Sequence, residues 1–217
     1  MAATFDSKYL FVGSCQDLIQ YRIDDHELVK EYPLEALIFS VVTTYDNRHV
    51  FAGQESGSVH QICIETQEVI KCYPGIDDTT IYSMTVTRDS EWLITCNASG
   101  KGRKISIGNQ QPGKDFRKIC KASISNIVVA PGDENLFVYD RESNLKLIDL
   151  ADGMTIKYFR RVHYSEVPLF QMMLVTRDGQ HIFTSSIFGG LKQWSVRERA
   201  MVADLSAELD YINCLCD

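Results

Sequence analysis

The chain has 217 residues, 45% of them apolar and 24% charged, with 29 acidic against 22 basic side chains and a formal net charge of −7. That is the profile of a globular chain long enough for a large buried core, and its acidic balance argues against a nucleic-acid surface, which needs clustered positive charge. No apolar run reaches the roughly 18 residues of a membrane helix, and the longest, Leu34 to Val42 and Val167 to Val175, are strand-sized.

Met1-Ala2-Ala3-Thr4 leads straight into a first turn and leaves no room for a signal peptide, so a cytoplasmic or nuclear location is expected, without membrane insertion. The first unit, residues 5–33, reads as a hairpin of Lys8 to Gly13 and Leu18 to Ile23 with a third strand Glu27 to Tyr32, and it lacks an innermost strand. The second, 36–74, is whole: Leu37 to Thr43, His49 to Gly53, Val59 to Ile64 and Glu68 to Tyr73. The third, 80–119, runs Ile81 to Val86, Trp92 to Cys96, Arg103 to Ile107 and Phe116 to Ile119, with an enlarged turn from Gly108 to Gly113. The fourth, 123–161, runs Ile124 to Val129, Leu136 to Tyr139, Leu145 to Leu150 and Thr155 to Phe159. The fifth, 168–206, runs Leu169 to Val175, His181 to Ser185, Leu191 to Val196 and Ala200 to Asp204, after which 209–217 reads as one more inner strand, Tyr211 to Cys216.

These units recur. The positions Tyr21, Ile62, Ile105, Ile148 and Trp194 are spaced by 41, 43, 43 and 46 residues. The turn ahead of each hairpin keeps step: Phe5-Asp6-Ser7, Tyr45-Asp46-Asn47, Arg88-Asp89-Ser90, Pro131-Gly132-Asp133 and Arg177-Asp178-Gly179. A period of about 40–45 residues holding four short strands marks propeller blades. The expected fold is therefore all-β: a single domain of about five four-stranded antiparallel blades, either a closed five-blade ring or an arc of a larger, seven-blade one. A closed ring requires Tyr211 to Cys216 to pair beside Lys8 to Gly13.

The repeats resemble those of WD-repeat β-propellers. Trp194-Ser195, Ile148-Asp149 and Tyr21-Arg22 stand at the tryptophan-aspartate position, and Asp149-Leu150-Ala151-Asp152-Gly153 is similar to the family's exit turn. The glycine-histidine pair of the family is missing, its nearest relic being Val162-His163. The resemblance implies an aspartate in the turn between second and third strands as that histidine's partner, but Ser56, Ser99, Glu142 and Phe188 stand there. No complete network is expected, and His163 is expected to be a loop residue.

Chemistry is sparse. The middles of the inner strands offer Ser40, Ser83, Asn126 and Asn213 for hydrogen bonds to water but no carboxylate, whereas propeller lactonases and hydrolases hold a divalent cation on acidic and amide side chains, as that resemblance implies. No serine sits in a Gly-x-Ser-x-Gly elbow, and Ser99-Gly100-Lys101-Gly102 lacks phosphate-loop spacing. The five histidines, His26, His49, His60, His163 and His181, are never at zinc-ligand spacing. The seven cysteines are an odd number and read as reduced, mostly buried thiols. The basic runs Lys101-Gly102-Arg103-Lys104 and Arg160-Arg161 read as solvated loop charge, and Tyr21, Tyr82, Trp92, Tyr139, Phe183 and Trp194 as fillers between blades. Phe188, in a glycine-flanked corner, reads equally as an anchor for a partner or as packing on a neighbouring loop. No catalytic, cofactor or metal residue is assigned. The resemblance implies a noncatalytic scaffold for a protein or peptide partner in a larger complex; a propeller hydrolase and a truncated piece of a longer scaffold are the alternatives.

Overall fold

A computed structural model describes residues 1–108, 113–116, 119–163, 172–176, 178–186 and 190–206. Among them, 20 strands form five four-stranded antiparallel sheets, and none is helical. The first sheet is β1 (Ala2–Ala3), β2 (Tyr9–Gly13), β3 (Asp17–Arg22) and β4 (Leu28–Pro33). The second is β5 (Ile38–Thr43), β6 (His49–Gln54), β7 (Val59–Cys63) and β8 (Glu68–Tyr73). The third is β9 (Ile81–Val86), β10 (Trp92–Asn97), β11 (Gly102–Ser106) and β12 (Lys114–Phe116). The fourth is β13 (Ile124–Val129), β14 (Asn135–Asp140), β15 (Leu145–Asp149) and β16 (Thr155–Phe159). The fifth is β17 (Met172–Val175), β18 (His181–Ser185), β19 (Leu191–Ser195) and β20 (Ala200–Asp204). Each is a meander whose neighbours in sequence are neighbours in the sheet. These are the five blades of a β-propeller, as the repeat predicts.

The chain forms two compact units, Met1–Lys118 with the first three blades and Ile119–Asp217 with the last two. In the first unit, Phe11, Leu18 and Tyr32 of one blade pack with Ile38, Val50, Ala52 and Ile62 of the next. Phe51, Val59 and Tyr73 then meet Ile81, Met84, Leu93 and Ile105 in the same way. In the second unit, Phe137, Tyr139, Leu145 and Leu147 face Met173, Ile182 and Trp194. Strand alternation explains this: successive residues point to opposite faces, so the apolar face of one blade can meet that of the next within each unit.

The turns between first and second strands owe their recurrence to hydrogen bonding. In Thr44-Tyr45-Asp46-Asn47 the Thr44 hydroxyl donates to Asp46 Oδ1 (2.5 Å), which also accepts from the Arg48 amide (3.0 Å). Thr87 and Asp89 do the same, with the Glu91 amide. The fourth position is left-handed in every blade, at Ser7, Asn47, Ser90, Asp133 and Gly179, a conformation that small and amide residues tolerate. Only glycine fits at 179, because a Cβ there would stand 1.9 Å from Pro131 Cγ. Consecutive turns are also tied together: Asn47 Oδ1 accepts from the Phe5 amide (2.7 Å), and Ser90 Oγ accepts from the Asp46 amide (3.1 Å).

A second repeated device lies on the outer strands. Lys30-Glu31-Tyr32, Lys71-Cys72-Tyr73 and Lys157-Tyr158-Phe159 each place a lysine over an aromatic ring two residues on, at 5.5, 4.5 and 5.1 Å. The Lys30 ammonium continues to the Gln67 carbonyl (2.6 Å), and that of Lys157 to the Arg199 carbonyl, each in the next blade's left-handed turn. The apolar stem covers the ring while the charged end closes the seam between blades.

Three expectations change. The first blade has its inner strand, since Ala2 and Ala3 pair with Phe11 and Leu10; two small residues carry no alternation by which to recognise a strand. That pairing occupies part of the β2 edge reserved for Tyr211 to Cys216, which lies outside the described residues. The third blade's outer strand is Lys114–Phe116 rather than Phe116 to Ile119, because it takes its register from β11, Gly102 facing Phe116. Among the expected fillers, Tyr139 and Trp194 are buried, but Tyr21, Tyr82, Trp92 and Phe183 are only half-buried. Phe11, Phe51, Tyr32 and Phe137 fill the blade interfaces instead.

Candidate functional site

The inner strands show little reactive chemistry. Ser40 and Asn126 are half-buried, Ser83 is buried, and Asn213 lies outside the described residues. At the ends of β5 and β9 the Phe39 and Tyr82 rings meet edge to face at 5.5 Å, with Phe39 44% exposed. Among the described residues no group of three His, Cys, Asp or Glu side chains converges as a metal site needs, and no helix is long and apolar enough to cross a membrane.

Polar chemistry concentrates where the chain enters each blade, and it differs from blade to blade. Into the second, Gln54 donates its amide to the Leu34 carbonyl (2.8 Å). Into the third, Asp77 accepts from Thr79 Oγ1 (2.6 Å), Ser99 Oγ (2.8 Å), Lys101 Nζ (2.8 Å) and Asn97 Nδ2. Burial alone would raise the Asp77 carboxyl, but those bonds outweigh it and hold the group down to about 2. Into the fourth, Lys146 Nζ donates to the Ile119 carbonyl (2.5 Å), and burial pushes the Cys120 thiol beneath it up to about 12.

Into the fifth blade comes the largest correction. His163 is a core residue, 5% exposed, with Nε2 2.9 Å from Thr184 Oγ1. The same hydroxyl accepts the Trp194 indole N–H at 2.9 Å. Tryptophan, threonine and histidine thus form a buried chain without an aspartate, and Phe188 at the aspartate position is outside the described residues. The space beside the ring is taken by backbone, since a Cβ on Gly190 would lie 2.4 Å from His163 Nδ1. A histidine without its glycine gives no motif, and Thr184 reads in sequence as an ordinary strand residue.

Burial, reinforced by the Lys192 charge, lowers His163 from 6.5 to about 4 against opposing pulls from Thr184 and Asp204. The folded imidazole stays neutral while the unfolded one takes up a proton below 6.5. Stability should therefore be unaffected above pH 6.5, fall as pH drops towards 4, and level off below, by on the order of 2–3 kcal/mol. His49 and His60 are lowered by burial too and slope the same way. The contribution of His163 is the difference between parent and His163→Gln in urea midpoints over pH 4 to 7; parallel curves would refute it.

Among the described residues, one concave surface lies on the fourth blade. A hollow of about 610 Å³ is lined by Lys121, Asp140, Glu142, Asn144, Lys146, Tyr158, Arg160 and Arg161. Asp140 ends β14 and is buried, its carboxylate accepting from the amides of Glu142 (3.0 Å) and Asn144 (2.9 Å) and from Asn144 Nδ2 (3.0 Å). Asn144 Oδ1 in turn accepts from the Arg161 amide (3.2 Å), which pins the chain leaving β16 against the turn. Lys146 and Arg160 lie over the Tyr158 ring, at 4.9 and 5.5 Å. Lys121, Glu142, Arg160 and Arg161 are exposed.

The other basic run is consumed by structure. Lys101 bonds Asp77, Arg103 pairs with Asp115, Lys104 lies 4.4 Å over the Trp92 ring, and Gly102 to Lys104 are strand rather than loop. Of the five described cysteines, all free, Cys96 and Cys120 are buried, Cys63 is half-buried, and Cys15 and Cys72 are exposed, so burial is less general than the composition suggests.

No family model matches the chain, and no curated protein matches its sequence. Among solved structures, a chain titled Kuenenia stuttgartiensis hydrazine synthase superposes with a TM-score of 0.79 over 97% of this chain, at 13% identity. This chain spans 66% of that chain's length. The likeness is one of fold, and because 1809 solved chains match it carries no particular chemistry.

Proposed function

We propose that the chain is a WD-repeat-like, noncatalytic interaction module that holds a protein or peptide partner within a larger assembly, in the cytoplasm or nucleus. The Trp194, Thr184 and His163 chain supports the WD-like reading, being the structural network of that family less one member. The observation that carries the functional reading is the fourth-blade hollow, a concave surface rimmed by exposed cations on a frame of paired strands. Rigid blades present such a surface with little loss of entropy on docking. The activity named for the Kuenenia chain is not transferred, because 13% identity supports a shared fold alone.

Two measurements test the reading. The immobilised chain should retain a defined partner from cytosolic extract, and the Arg160→Glu, Arg161→Glu double variant should lose it while keeping its circular dichroism. Incubation with lactone, ester and phosphoester substrates plus calcium, magnesium or zinc should give no turnover above buffer. Turnover that a chelator abolishes would instead establish a propeller hydrolase.

A further inference from the structure

We infer that the fourth-blade hollow binds an acidic peptide segment, its carboxylates taken by Lys121, Arg160 and Arg161 and its chain lying beside Tyr158. This rests on the interaction-module reading and deepens it by naming the ligand chemistry.

The charges in the hollow are unequal, four cations against two carboxylates, in a chain whose net charge is −7. One of those carboxylates, Asp140, is already saturated by its own turn. Lys146 is committed to the Ile119 carbonyl. That leaves Lys121, Arg160 and Arg161 facing Glu142, and among the described residues none of the three side chains forms an ion pair. On neighbouring strands, cations are engaged: Lys30 and Lys157 close seams, Arg103 holds Asp115, and Lys192 meets Asp204 at 3.4 Å. Three cations without an ion pair round one concavity, of which only Arg160 rests on a ring, depart from that pattern.

Guanidinium groups favour carboxylates because their planar donors bond both oxygens. Two adjacent arginines, with the Arg161 amide fixed on Asn144, present such donors from a held backbone. Tyr158, 42% exposed, adds apolar surface of a kind that anchors peptides. A nucleic acid would ask for a longer track of charge and more than one stacking ring.

Fluorescence anisotropy on the full chain tests this, with a labelled Glu-rich peptide, a Gln-rich peptide of equal length and a single-stranded oligonucleotide as probes. The Glu-rich peptide should bind at least about tenfold more tightly than the Gln-rich one, and weaken at least about tenfold in Arg160→Glu, Arg161→Glu. Glu142→Lys should tighten binding, and Lys8→Glu, a reversal in the first unit, should leave it unchanged. All four positions are exposed or partly so, so the variants should keep the parent's thermal midpoint. Equal affinity for the Gln-rich peptide, tighter binding of the oligonucleotide, or an equal loss in Lys8→Glu overturns the inference. If the extract partner is still lost on arginine reversal while the Glu-rich peptide fails to bind, the ligand class is wrong and the module reading stands.

Discussion

Trp194→Ala should destabilise the second unit by roughly 3–5 kcal/mol, the range for removing a large buried aromatic. The indole is 5% exposed, meets the Phe159 ring at a tilt with centroids 4.9 Å apart, and packs with Phe137, Tyr139 and Ile182. Truncation opens a cavity between the fourth and fifth blades and also removes the donor to Thr184 Oγ1, itself fully buried. A paired control separates the two effects. Trp194→Phe keeps most of the volume and forfeits the N–H, so it should cost about 1–2 kcal/mol. Urea unfolding followed by far-ultraviolet circular dichroism measures both, and a loss under about 1 kcal/mol for Trp194→Ala would refute the placement of the ring.

Phe51→Ala should cost the first unit about as much, roughly 3–5 kcal/mol. Phe51 has no exposed surface and sits on β6 against Ile81, Met84 and Leu93 of the third blade. The neighbours cannot collapse into the space readily. Ile81 already lies against Gly53, where an added Cβ would meet Ile81 Cγ2 at 2.8 Å, so the strands are at closest approach. Phe39→Ala supplies the contrast, since that ring is 44% exposed and its loss should stay under about 1 kcal/mol. Equal losses for the two would mean that blade interfaces do not carry the stability of this unit. Because the two units could unfold separately, hydrogen exchange on β6 and β18 should accompany the global measurement.

Strand positions were readable because period-two alternation and turn chemistry agree at each repeat. The Thr-x-Asp turns made the register visible, and the strands following them lie within a residue or two of expectation. What escaped was chemistry set by residues distant in sequence. His163, Thr184 and Trp194 come from a connection and two strands, and only folding brings them within 2.9 Å. The hollow likewise joins Lys121 to Arg160 and Arg161 across the whole fourth blade. The Lys-x-aromatic step on the outer strands was legible, at residues 30–32, 71–73, 114–116 and 157–159, and could have been found by asking which outer-strand residues recur.

The connections into the blades bear on how a repetitive chain finds its order. Tandem copies are prone to misassembly, one copy docking where another belongs. Here each junction has its own fastening: amide to carbonyl at Gln54, ammonium to carboxylate at Lys101 and Asp77, ammonium to carbonyl at Lys146, and a bond shared by imidazole and hydroxyl at His163 and Thr184. A transposed copy would bring a lysine to face a histidine, or strand a carboxylate away from water without a donor, at a penalty of about 1–3 kcal/mol or more for each mismatch. Sequence divergence among the copies thus gives each one an address, and entry at the wrong one carries its cost at the junction itself.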